Sequence, residues 1–105
     1  MSKTKADKQH LSDVASLGCV ACRNAGLGPS LAEIHHVRSG AGMAQRSGHT
    51  QVLPLCPRHH RACYPTGFHA APRSWQVEHG SEEALLEQVA REVAELRKNT
   101  IGRAA

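Results

Sequence analysis

The sequence predicts a small α+β domain: two short strands followed by a helix, stapled by zinc and flanked by short helices and a longer C-terminal one. Two observations carry that prediction. Metal-ligand residues are spread over three short segments, which read CVAC at Cys19 to Cys22, EIHHVR from Glu33 to Arg38, and LCPRHHRACYPTGFH from Leu55 to His69. The chain also has only 105 residues, with one Phe, one Trp and one Tyr. Its core must rest on Leu, Val, Ile and Ala, and a core that small gains from a staple. Structural zinc can contribute about 10–16 kcal/mol to the folding of small metal domains.

The elements follow in order. Residues 1–8 read as a short disordered basic tail, residues 9–100 as a single domain and residues 101–105 as a disordered C-terminus. Leu11, Val14, Ala15 and Leu17 mark an amphipathic helix from Gln9 to Leu17, which Gly18 ends. Cys19 to Cys22 is expected to form a tight turn, and Gly26 to Ser30 a loop. Ala32 to Val37 has the length and residue types of a strand. The glycine-rich run from Ser39 to Gly48 reads as a flexible connection, and Gln51 to Leu55 as the second strand of a hairpin. Pro57 suits the first turn of a helix running through Cys63. Pro65 and Gly67 break it, and Pro72 starts another short helix that carries Trp75.

The last helix has the strongest signals. Ser81 is a good N-cap, and Glu82 and Glu83 suit the positive helix end. Leu85, Leu86, Val89, Val93 and Leu96 recur at helical spacing. Arg97 and Lys98 lie near its C-terminal end, and Gly102 follows. It reads as a packing helix with a solvated acidic face. There are no internal repeats and no low-complexity block.

The formal charge is +4 with histidines neutral. That balance is compatible with a polyanionic partner. Its placement says more. Glu78, Glu82, Glu83, Glu87, Glu92 and Glu95 hold most of the acid, which leaves a basic front. Arg38, Arg46, Arg58, Arg61 and Arg73 lie in or beside the histidine-bearing segments. The planar fork of Arg suits phosphate, so Arg38, Arg46, Arg61 and Arg73 are candidate contacts to a phosphate backbone. The first ten residues, MSKTKADKQH, carry no apolar signal core, and no apolar run is long enough to span a bilayer. The expected setting is a reducing cytoplasm, where Cys pairs favour metal over disulfides.

Cys19, Cys22, Cys56 and His59 supply four ligands at C-x2-C and C-x2-H spacing, enough for one structural zinc (Zn2+). Buried thiols are the dull competitor, and His59 and His60 could exchange roles. His35, His36, His60 and His69 remain, and a second histidine constellation points to chemistry beyond folding. His10 and His79 are expected to face solvent. Cys63 is expected to be a small core residue.

Strand, strand, then helix, with histidines on the first strand and on the helix, resembles the ββα-metal fold of HNH endonucleases over roughly Cys19 to His69. EIHHV resembles the first segment of that family. The resemblance implies that His35 binds a catalytic metal and that His36 is the general base. LCPRHH resembles the family's LCxxCH segment, with His59 in place of the second Cys. His60 then faces the catalytic metal, and His69, in GFH, is its last ligand. The family's middle asparagine is absent. Gln51 is the nearest match, since its amide offers similar hydrogen bonds; His49 is the other candidate. A divalent ion is implied at the catalytic site, magnesium (Mg2+) in function, with zinc as an occupant of isolated protein.

The resemblance narrows through LGCVACR, AEIHHVRSGAGMAQR, PLCPRHHR, GFHAAPRSWQ and the GSEEALLEQV helix. Together these are similar to the phage Ref nucleases, RecA-dependent HNH endonucleases that cut DNA engaged by a RecA filament. The similarity covers most of residues 11 to 89. It implies a bacteriophage or prophage enzyme acting in the cytoplasm of a bacterial host, with DNA and the RecA filament as partners and no membrane. Longer members carry an extended basic N-terminal tail, of which only a stub stands here. The expected function is metal-dependent hydrolysis of DNA phosphodiester bonds, on RecA-bound DNA. The alternatives are an HNH nuclease of phage or mobile elements without RecA dependence, and a non-catalytic zinc-stapled nucleic-acid-binding module.

Overall fold

Val52–Leu55 is buried at every position, and the other elements gather around it. The computed structural model describes residues 4–37 and 51–104, with side chains described for 4–37 and 51–99. The expected glycine-rich connection therefore lies outside the described residues, as do Arg38, Arg46 and His49. The chain runs α1 (Lys5–Ser16), α2 (Val20–Asn24), β1 (Glu33–His36), β2 (Val52–Leu55), α3 (Pro57–His60), a 3-10 turn (Phe68–Ala70), α4 (Pro72–His79) and α5 (Glu82–Ala104).

β1 and β2 pair antiparallel, with Glu33 opposite Leu55, Ile34 opposite Pro54, His35 opposite Leu53 and His36 opposite Val52. Pro54 cannot donate to a ladder, and a two-stranded sheet tolerates it because each strand has an unpaired edge. Along β1, His35 is buried and His36 exposed, as side-chain alternation requires. The core joins Val14 of α1, Val20 and Ala21 of α2, and Val52, Leu53 and Leu55 of β2 to Leu85, Val89 and Val93 of α5. Burying each Val or Leu is worth about 1.5–3 kcal/mol. Polar clamps tie α5 to the front of the chain. Arg23 holds Glu92 through two bonds of 2.8 and 2.9 Å, Asn24 and Gln88 exchange amide bonds, and Arg97 reaches Asp13 at 2.9 Å.

Several boundaries differ from the sequence expectation. α1 begins at Lys5, inside the stretch expected to be a disordered tail. Thr4 and Asp7 form a capping box in which each backbone N–H donates to the other side chain at 3.0 Å. Cys19 to Cys22 enters a helix instead of a simple turn: Cys19 is the N-cap of α2, and its sulfur accepts the Cys22 N–H. α3 ends at His60, three residues before Cys63, because Arg61 turns extended. α5 continues to Ala104, past Gly102 and through most of the C-terminus expected to be disordered. A single helical Gly costs about 1 kcal/mol, too little to stop a helix that is already propagating.

Candidate functional site

Two groups of ligand side chains form, and each takes one histidine from α3. The first joins Cys19 and Cys22 from α2 and its cap to Cys56 and His59 from α3 and its cap. The Nδ1 atom of His59 lies 3.6, 3.4 and 3.2 Å from the sulfurs of Cys19, Cys22 and Cys56, and the sulfurs of Cys22 and Cys56 are 3.7 Å apart. Zinc bonds of about 2.3 Å to sulfur and about 2.0 Å to nitrogen give tetrahedral edges of roughly 3.5–3.8 Å. The donor set therefore fits one zinc ion, and the three cysteines are free thiols.

The surroundings tune these ligands. Burial pushes the Cys19 thiol up to about 11. A bound cation reverses that preference, because it stabilises the thiolate and expels the proton. Burial also raises Cys56, but the His59 N–H and the neighbouring thiols outweigh it and hold that thiol below its ordinary value. Burial, with His79 nearby, lowers His59 and keeps its ring neutral, as a ligand must be.

The second group joins His35 of β1, His60 at the end of α3 and His69 of the 3-10 turn. Their ring centroids form a triangle with sides of 5.2, 5.2 and 5.0 Å, and one ligand atom from each lies within 4.8 Å of the others. His35 is 2% exposed, His60 half-buried and His69 exposed, so the group opens to solvent on one side. Burial lowers the His35 pKa and favours its neutral, ligating form. Its Nδ1 is buried without a hydrogen-bond partner among the described residues. Three imidazoles, one of them with an orphaned buried nitrogen, fit a divalent cation that keeps open positions.

Local chain geometry brings His69 in. After α3 the chain folds back on itself: Thr66 Oγ1 donates to the Arg58 carbonyl at 2.8 Å, and Gly67 N–H donates to the Tyr64 carbonyl at 3.0 Å. The 3-10 turn then starts at Phe68, whose ring packs 4.5 Å from His35 and 5.2 Å from Trp75.

Two glutamates that the sequence reading did not single out hold the histidines. Glu33 accepts from His60 Nδ1 at 2.9 Å and is ion-paired with Arg61. Arg61 first, then His60, pulls its carboxyl down to about 2. Glu82 lies 2.8 Å from His35 Nε2, and both side chains are buried. Glu33 opens the EIHH segment, but the partners it meets lie 27 and 28 positions away. Nothing local links Glu82 to a residue 47 positions away.

Other expected residues fall as follows. His36 is exposed at the last position of β1 and is outside the three-histidine group. Gln51 is exposed just before β2, and its carbonyl accepts the Val37 N–H at 2.9 Å. Arg61 is engaged by Glu33, whereas Arg73 is exposed at the start of α4. Cys63 is exposed and not a core residue, because α3 stops before it. His79 does not face solvent freely: its ring packs 4.7 Å from Trp75 and 5.2 Å from His59. No helix among the described residues is long and apolar enough to cross a membrane.

Over residues 3–94 the chain matches the family model described as recombination enhancement, RecA-dependent nuclease. No curated protein matches the chain.

Proposed function

The chain belongs to the Ref family of RecA-dependent nucleases, and from that premise we propose that it cuts DNA held in a RecA filament through an HNH-type site built on β1, α3 and the 3-10 turn. Membership makes it a phosphodiester hydrolase and implies the involvement of DNA and RecA. It removes the alternative of a non-catalytic binding module. The observation that carries the site assignment is the separation of two ligand groups, one rich in sulfur and buried, the other all histidine and open on one side.

In this reading Cys19, Cys22, Cys56 and His59 hold a structural zinc ion that ties α2 to α3. His35, His60 and His69 hold a divalent cation, magnesium in function. When bound, that cation supplies positive charge to the scissile phosphate and to the departing oxygen. His36, the exposed residue that follows His35 on β1, accepts a proton from the attacking water in this reading; a neutral imidazole with a pKa of about 6.5 is suited to that task. The amide of Gln51, just before the opposite strand, takes the place of the family's asparagine in orienting the loop; His49 is the other candidate for that role. Arg73 and Arg58 are exposed cations for the DNA backbone, joined in this reading by Arg38 and Arg46. Arg61 contributes less, since its guanidinium is spent on Glu33.

The setting that follows is a phage or prophage product acting in the cytoplasm of a bacterial cell. A domain of this size offers few phosphate contacts and binds naked duplex weakly and in a salt-dependent way. A displacement loop held by RecA presents strands that compensate. The test compares cleavage of one target as supercoiled DNA and as a RecA-coated displacement loop, at fixed salt and magnesium. Faster cutting of the RecA-held substrate is expected. Equal rates on both would remove the filament from the mechanism and leave the HNH chemistry.

A further inference from the structure

We propose that Glu82 is a positioning residue for the three-histidine site: its carboxylate accepts the Nε2–H of His35 and so leaves the Nδ1 lone pair of that ring to bind a divalent cation. This rests on the reading of His35, His60 and His69 as cation ligands.

The pair stands apart from the rest of the protein. His35 and Glu82 are the two buried polar residues among the described side chains, at 2% and 4% exposure. Their contact is 2.8 Å. A carboxylate accepts hydrogen bonds and donates none, so the ring nitrogen facing it must carry the proton. A neutral imidazole has one proton, so Nδ1 is left as an acceptor. That atom is buried and has no hydrogen-bond partner among the described residues. Leaving a buried polar atom unsatisfied is costly, and such atoms call for an explanation. A cation shared with His60 and His69 supplies one, since the three rings each bring one nitrogen within 4.8 Å of the others.

The fold holds Glu82 in place. It is the first residue of α5, where Ser81 Oγ accepts the Ala84 N–H at 3.1 Å and Gln76 Oε1 accepts the Glu82 N–H at 3.1 Å. The positive end of a long helix favours a carboxylate there. Leu85 and Val89, one and two turns on, are buried in the core and fix the helix position. The C-terminal helix thus sets the tautomer and ring orientation of a ligand 47 positions away in the chain. Carboxylates that hold ligating histidines in this way are common beside metal sites, and losing one typically costs about 10–100-fold in metal affinity.

The test uses zinc-loaded full chain with Mn2+ as the probe. Long-range proton–nitrogen NMR should show His35 as the Nε2–H tautomer in the wild-type protein before Mn2+ is added. The opposite tautomer would overturn the proposal without any variant. Glu82→Gln and Glu82→Met have similar volume, but only the amide offers an acceptor oxygen. E82Q should keep the tautomer and most of the Mn2+ affinity by EPR titration. E82M should mix the tautomers and lose about 10–100-fold in affinity. Equal behaviour of the two variants, whether unchanged or equally impaired, would reduce Glu82 to a packing role. His69→Ala separates the underlying reading: if it binds Mn2+ as the wild type does, the three-histidine assignment fails, while the tautomer of His35 still reports on Glu82.

Discussion

Gly67 packs its α-carbon against the backbone of Arg61 so closely that a methyl group built there would overlap the Arg61 carbonyl. That contact folds residues 61–67 back onto α3 and sets the His69 ring 5.0 Å from the His60 ring. Gly67→Ala forces the two segments apart. It should cost about 1–3 kcal/mol, in the range of an overpacked interior site. Mn2+ affinity at the histidine group should fall while zinc content stays at the wild-type level. Thermal unfolding and metal titration check both; unchanged Mn2+ binding would show that His69 does not depend on this turn.

Cys19 is fully buried, caps α2 and belongs to the sulfur-rich group. Cys19→Ala removes one ligand and the side-chain cap together. The variant should lose zinc and much of its folding stability, since the free energy of structural zinc binding is folding free energy in small domains. Elemental analysis and thermal melts decide it. Full zinc content with an unchanged melting temperature would refute the assignment.

His36 lies outside both ligand groups. His36→Ala should therefore leave zinc content, Mn2+ affinity and melting temperature near wild type while cutting falls by about 10²–10⁴-fold. Near-normal cleavage by the folded variant would exclude His36 as the base.

Arg23 and Glu92 give a pH signature. Burial raises the Glu92 carboxyl, but the two bonds from Arg23 and one from Gln88 outweigh it and hold the group below its ordinary value. A carboxyl lowered in the folded state adds stability that is fully present above its unfolded value. That stability is lost as pH falls through the folded value. The pair is partly exposed, so its contribution is about 1 kcal/mol or less. Glu92→Gln should be less stable than wild type near neutral pH, and the gap should close in acid. Urea unfolding of the two proteins side by side measures it. A gap that stays constant with pH would show that the carboxylate charge is not involved.

Much of the grouping of candidate ligands was legible because metal chemistry is written in short spacings. C-x2-C and C-x2-H put donors within one helical turn, and EIHH puts two histidines at a strand end. The periodicity of Leu85, Val89 and Val93 marked the packing face of α5 in the same local way, and all three are buried. The capping box at Thr4 and Asp7 was equally local but went unread, which is why α1 starts earlier than expected.

Residue types and spacings were enough to read which side chains are candidate ligands, the order of strand, strand and helix, and the family. Which carboxylate meets which histidine, where α3 stops and how His69 reaches His60 emerge only when the elements pack. The six glutamates from Glu78 onward all suit a solvated helix face by composition. Only Glu82 among them is buried, because the packing of α5 on the core sets the rotation of its first turn. Contacts between residues 47 positions apart depend on that packing and leave no mark on the spacing of either partner.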